Sequence, residues 1–229
     1  MGKDIYYDSR YGLVGYQSMM TRHQYLIQLA NPSKVKTVID VGANVGFFSM
    51  LIRDIFPSSK IYSIEPVPLT YSCLKRNLVG DRKTHTYNLG VSDRPRIAKM
   101  NFNSQLSAIS QISSAGDIDV KLTTLDKFIR DNQIDMIDIL KIDTEGHELN
   151  VLKGAKKALS KTRYLHIEVT VNDIDSLAQH SPRHTFSEIF SCLYAPTYNF
   201  QLLSYRSFTD SGMSKATVFD LFLKNTNIS

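Results

Sequence analysis

The stretch KIDTEGHE, Lys141 to Glu148, gathers Lys141, Asp143, Glu145, His147 and Glu148 directly behind the apolar run MIDIL. Ionisable side chains this dense beside an apolar strand are costly unless they are used or paired. Glu168, at the end of YLHIEV, is expected to point into the same crevice, because open α/β sheets bind ligands at the carboxyl ends of their strands. The chemistry on offer is proton transfer. His147, a residue type with an ordinary pKa of about 6.5, is the natural general base, and Glu145 or Glu168 can orient it or take the proton directly. Lys141 completes this candidate catalytic set. Two other readings stay open. Thr144, Glu145 and Glu148 would also suit a helix start, and Asp143, Glu145, His147 and Glu168 are an oxygen-rich set for a divalent cation. Their spacing is not diagnostic of a metal, and none is assigned.

A second cluster of special residues lies in VIDVGANVGFFS, Val38 to Ser49, where a strand runs into small residues and then into a helix. Gly42 and Gly46 permit a tight turn and close approach of backbone to a ligand, and the helix amino terminus beyond attracts a carboxylate. Glu65 ends the next strand about twenty residues on, where a carboxylate can accept from both ribose hydroxyls of an adenosine. A nicotinamide cofactor would call for glycines at the positions of Asn44 and Phe47. Asn44 still allows a left-handed turn, without the close pyrophosphate approach.

The elements that must position these residues follow from periodicity. From Val35 onward short β-branched runs alternate with helical spacing, as expected of an α/β domain with a doubly wound, mostly parallel sheet. Strands are expected over Val35 to Val41, Lys60 to Glu65, Thr84 to Ser92, within IAKMNF, over Met136 to Asp143 and over Tyr164 to Val169. Helices are expected over Phe47 to Phe56, after Pro68, over Leu122 to Asn132, through Leu149, Leu152, Ala155 and Leu159, and over His184 to Leu193. FQLLSY and ATVFDLFL suit a closing antiparallel hairpin. NSQLSAISQISSAGD reads as a loop, and 172–183 as a polar connection. Tyr16 to Leu29 fits an amphipathic helix, so 1–34 is expected to be an accessory segment before one domain spanning 35–229.

The 229 residues are 42% hydrophobic and 21% charged, enough to bury a single large core. No run approaches the roughly eighteen apolar residues of a membrane helix, and MGKDIYYDSR lacks the apolar core of a secretory signal. A cytoplasmic protein without membrane partners is expected. Cys73 and Cys192 have no metal-ligand spacing and are read as buried free thiols. A net charge of +5 permits nucleic acid, but the cations are scattered rather than set in a basic, aromatic face.

Taken in order, VIDVGANVGFFS, IEPVP, NLGVSD, TTLDKF, LKIDTEGHELNVLKGA and LHIEV resemble the FkbM family of methyltransferases, over about Val35 to Val169. The resemblance implies a Rossmann-like class I methyltransferase fold, S-adenosyl-L-methionine as donor, and O-methylation of a hydroxyl on a sugar or natural product. It further implies that Asp40, Gly42, Asn44 and Gly46 hold the methionine end, Glu65 the ribose, and Ser92 with Asp93 the adenine side, while Asp143 closes the pocket near the sulfonium. The alternatives are ribose 2′-O-methylation of RNA, for which Lys141, Asp143 and Glu168 would serve, and a non-catalytic protein that binds the adenosine cofactor. No Asp-Pro-Pro-Tyr or Asn-Pro-Pro-Tyr segment follows the fourth strand, which disfavours amino-group acceptors.

Overall fold

Val38, Ile39, Ile61 and Ile64 are fully buried, as β-branched residues covered on both faces of a parallel sheet must be. They belong to a computed structural model that describes residues 34–101, 111–112, 116–171, 185–209 and 217–228. The expected helix at Tyr16 to Leu29, the connection 172–183 and most of the Ser-rich stretch lie outside the described residues. By internal contact the chain forms two compact units, 1–90 with 96–122 and 91–95 with 123–229.

The first unit begins with β1 (Thr37–Val41), α1 (Phe47–Ile55), β2 (Lys60–Ile64), α2 (Pro68–Asn77) and β3 (Thr84–Tyr87). β1 pairs with β2 and β2 with β3, both in parallel, with Val41 opposite Ile64 and Ile64 opposite Tyr87. Phe48, Leu51 and Ile52 form the buried face of α1. Pro68 opens α2 at a position where its missing N–H costs nothing. The run expected as one strand to Ser92 stops at Tyr87 and resumes as the two-residue β4 (Gly90–Val91).

β5 (Arg96–Asn101) pairs in antiparallel fashion with β6 (Gln111–Ile112) and with β7 (Ile118–Thr123). Met100, Val120 and Leu122 pack there against Val67. β7 replaces the start of an expected helix: Leu122 and Thr123 are strand, and α3 (Leu125–Asp131) begins only after Thr124. The Thr124 hydroxyl caps α3 by accepting from the Lys127 N–H at 3.0 Å.

In the second unit β8 (Ile137–Ile142) is buried along its whole length. It is followed by α4 (Glu148–Lys153), α5 (Lys156–Ser160) and β9 (Thr162–Val171), which runs parallel to β8 with Lys141 opposite His166. The single helix expected through Leu159 is two. Gly154 breaks it, since its carbonyl accepts from the Asp126 N–H at 3.1 Å while the Asp126 carboxylate accepts from the Ala158 N–H at 2.9 Å. α6 (Phe186–Ser191) starts after a Thr185 and Glu188 capping box. β10 (Tyr194–Ala195), β11 (Tyr198–Thr209) and β12 (Thr217–Asn225) then extend β9 in antiparallel order, as the expected hairpin requires. β11 carries a bulge: Leu202 faces Leu223 and Ser204 faces Phe222, leaving Leu203 extra. Both cysteines are free thiols, and they are half-buried rather than buried.

Candidate functional site

In the first unit the glycine turn is held by β2 and by two side chains as well as by its own backbone. Gly42 and Gly46 have φ of 78° and 97°, and Asn44 occupies the left-handed region at 49°. The N–H groups of Gly42 and Ala43 both donate to the Ile64 carbonyl at 3.0 Å, and the Gly46 N–H donates to Ala43 at 2.9 Å. Asn77 donates to the Val45 carbonyl at 2.7 Å. Glu65 closes the turn. One of its oxygens accepts from the Asn44 N–H at 3.0 Å and the other from the Val67 N–H at 2.9 Å. Asp40 is fully buried and accepts from the Ser49 hydroxyl at 2.7 Å, which lies 2.7 Å from the Ser63 hydroxyl. This chain of hydroxyls ties β1 to α1 and β2. Ser49, Ser63 and Asn77 went unnoticed in the sequence, where lone Ser and Asn residues carry no signal.

The turn and Glu65 together fit an adenosine-bearing ligand. Positive φ at Gly42, Asn44 and Gly46 makes the turn tight, with Gly42 and Asn44 half-buried and Gly46 packed against Leu74, and a carboxylate offers about four lone-pair positions to donors.

In the second unit the loop after β8 is shaped by Glu148, which is buried and whose Oε1 accepts from the Thr144 N–H and hydroxyl, both at 2.9 Å, and from the Gly146 N–H at 3.1 Å. Glu145 and Gly146 both adopt positive φ, at 51° and 93°. Glu148 therefore folds the loop, which is the helix-start reading; burial still lifts its carboxyl above the usual range, against the pull of those bonds.

Asp143, Glu145 and Glu168 offer carboxylate oxygens within 4.8 Å of one another. The ammonium of Lys141, buried in the sheet, lies 3.1 Å from Asp143. Burial first, and then the negative charges of Asp143, Glu168 and Glu148, push the Glu145 carboxyl well above the ordinary range, with Lys141 pulling the other way. Carboxylates so placed titrate together and can share a proton or a hard cation.

His147 is drawn elsewhere. Its Nε2 lies 2.9 Å from the hydroxyl of Ser92, which donates to Asp93 at 2.8 Å, and its Nδ1 lies 3.2 Å from the Asn150 amide nitrogen. Thus Lys141, Asp143, Glu145 and Glu168 form one group, and His147, Ser92 and Asp93 another. Beside Glu168 stands a pair the sequence did not expose. Asp220 on β12 is opposite Glu168, and its carboxylate lies 3.5 Å from Nε2 of His166, both residues being buried. Only the register of β9 against β12 brings them together.

The chain shares its fold with class I methyltransferases of known structure. One is M. capricolum TrmK in complex with S-adenosyl-homocysteine, with a TM-score of 0.51 and 10% identity, covering 88% of this chain and 66% of that one. Another is Aeropyrum pernix fibrillarin with natively bound S-adenosyl-L-methionine, with a TM-score of 0.51 and 10% identity, covering 91% of this chain and 74% of that one. The Methyltransferase FkbM domain matches residues 40–200, and the chain belongs to this family, whose donor is S-adenosyl-L-methionine. The match continues past Val169, where the motif resemblance stops.

Methyltransferase sdnD of Sordaria araneosa is 30% identical over 61% of this chain and 67% of its own length. Hexuronic acid methyltransferase AglP of Haloferax volcanii is 27% identical over 57% of this chain and 54% of its own length. The 2-O-methyltransferase NoeI of Sinorhizobium fredii is 21% identical over 69% and 72%. The chain thus spans between about half and three quarters of these relatives. No helix among the described residues is long and apolar enough to cross a membrane.

Proposed function

We propose that this methyltransferase acts on an oxygen, a hydroxyl of a sugar or another small natural product. The observation that carries the reading is the meeting of Asp143, Glu145 and Glu168, with Glu145 holding its proton more tightly than an ordinary carboxyl. A carboxyl whose pKa is raised is, once ionised, a stronger proton acceptor for a hydroxyl than an ordinary one. One relative is named a 2-O-methyltransferase, which fits an oxygen acceptor, and another is named for a sugar acid, hexuronic acid.

When bound, S-adenosyl-L-methionine supplies an electrophilic methyl group. The chain's own residues then have separate tasks. The Gly42, Asn44 and Gly46 turn, braced from inside by the buried Asp40, would hold the methionine end, Glu65 the ribose, and Asp93 anchored by the buried Ser92 the adenine, with Asp143 assigned to the sulfonium. Alignment of the acceptor oxygen can contribute about 7 to 11 kcal/mol. Glu145 takes the proton of the acceptor hydroxyl, worth roughly a hundred- to ten-thousand-fold in rate, and Lys141 and Glu168 set the charge around it. Residues 1–34 are assigned as an accessory segment to the domain at 35–229.

Calorimetric titration with S-adenosyl-L-methionine and S-adenosylhomocysteine, beside NAD, comes first, followed by a mass-spectrometric screen of sugar and natural-product alcohols. Micromolar binding of the two methionine-derived ligands and a methylated alcohol are expected. Preference for NAD overturns the donor, and methylation of amines alone overturns the oxygen acceptor.

A further inference from the structure

Within the second unit the segment Val91–Pro95 is fastened to the rest at Ser92. This residue is fully buried, and its N–H donates to the Thr123 carbonyl at 2.8 Å. Its own carbonyl oxygen lies only 2.1 Å from where a Cβ on Gly154 would stand, so glycine alone allows the approach. Its hydroxyl meets Nε2 of His147 at 2.9 Å.

The bonds around His147 define its tautomer. The Asn150 amide nitrogen can only donate, and it faces Nδ1 at 3.2 Å, so Nδ1 is the acceptor and the ring proton sits on Nε2. Nε2–H then donates to Ser92, whose hydroxyl donates on to Asp93 Oδ1 at 2.8 Å. Donation runs one way from amide to imidazole to hydroxyl to carboxylate.

We propose that His147 is a positioning residue for the adenine of the methyl donor, acting through Ser92 to aim the Asp93 carboxylate, and is not the group that takes the acceptor's proton. The inference rests on the donor reading above, in which Asp93, anchored by the buried Ser92, serves adenine. A base needs a lone pair aimed at its substrate. The Nδ1 lone pair of His147 is directed at Asn150, and Nε2 carries the proton. With one oxygen of Asp93 anchored by Ser92, the carboxylate has a set direction in which to accept from the 6-amino group of adenine.

The test compares binding of S-adenosylhomocysteine with that of S-inosylhomocysteine, whose 6-oxo group offers an acceptor in place of the amine. The wild-type protein should prefer the adenosyl compound by about ten-fold or more, the value of one hydrogen bond to a charged group. His147→Ala should reduce that preference to within about three-fold, and His147→Gln, whose amide can still donate to Ser92, should keep most of it. Asn150→Asp leaves the ring in place but puts an acceptor at Nδ1, which reverses the chain and should also erase the preference. Unchanged preference in His147→Ala and Asn150→Asp, or turnover lost with preference intact, overturns the proposal and leaves the donor reading standing. Failure of the wild-type protein to bind S-adenosylhomocysteine overturns both.

Discussion

Replacing Glu65 tests whether its carboxylate serves the ligand, the turn, or both. It is 6% exposed and accepts two backbone N–H groups, those of Asn44 and Val67. A hydrogen bond to a charged group contributes about 1.5 to 3 kcal/mol, and a buried donor left unmatched costs a similar amount. Some relaxation of the turn and entry of water will offset part of this, so Glu65→Ala should destabilise the ligand-free protein by about 2 to 4 kcal/mol. Glu65→Gln keeps one acceptor but turns an amide NH2 toward the other backbone donor, and should lose about 1.5 to 3 kcal/mol. Asn44 adds to the effect, because its left-handed backbone, φ 49°, is held by the bond that is removed. Urea denaturation without ligand gives the stability, and calorimetry with S-adenosylhomocysteine gives the affinity. Both should fall. Full stability with abolished binding would refute the reasoning and make Glu65 a ligand contact alone.

Glu145→Gln bears on the acid cluster. A carboxyl with a raised native pKa contributes stability that is complete below the ordinary Glu pKa, about 4.3, and is lost as pH rises through the native value. Denaturation from pH 5 to pH 8 should therefore show the wild-type protein losing ground to Glu145→Gln, while the variant loses turnover; parallel stability curves would contradict the cause assigned to the shift. Gly154→Ala should destabilise by about 1 to 3 kcal/mol, since its Cβ would stand 2.1 Å from the Ser92 oxygen and 3.3 Å from the Asp93 Cα, both backbone atoms. The same variant should weaken binding of S-adenosylhomocysteine, and wild-type stability and affinity together would argue against the close approach.

Local pattern made much of the fold readable. β1, α1, β2 and α2 lie where β-branched runs, the glycine turn and Pro68 place them. β7 was also legible, since Ile118, Val120 and Leu122 alternate with Asp117, Asp119 and Lys121. The helix expected over Leu122 to Asn132 takes in the end of this strand, whereas the cap that acts is Thr124. The break at Gly154 has a local sign, since glycine disfavours a helix interior, but the atoms that demand glycine belong to Ser92, far back in the chain. His147 shows the same limit. Its residue type and setting suggest a base, but its partner is 55 positions away. The carboxylate group was visible in outline because Asp143 and Glu145 are sequence neighbours at a strand end, whereas His166 and Asp220 needed the β9 to β12 register to meet.

The bulge in β11 bears on how the chain behaves among copies of itself. β10 covers only Tyr198 and Asn199 of this long strand, and beyond them Leu202, Leu203 and Tyr205 are exposed among the described residues. An apolar strand edge, if flat, is a template for aggregation. The extra residue at Leu203 interrupts the alternation and sharpens the local twist, so an incoming strand cannot keep register across it. The irregularity works as a guard against edge-to-edge pairing, and deleting Leu203 would be expected to raise self-association, read by light scattering.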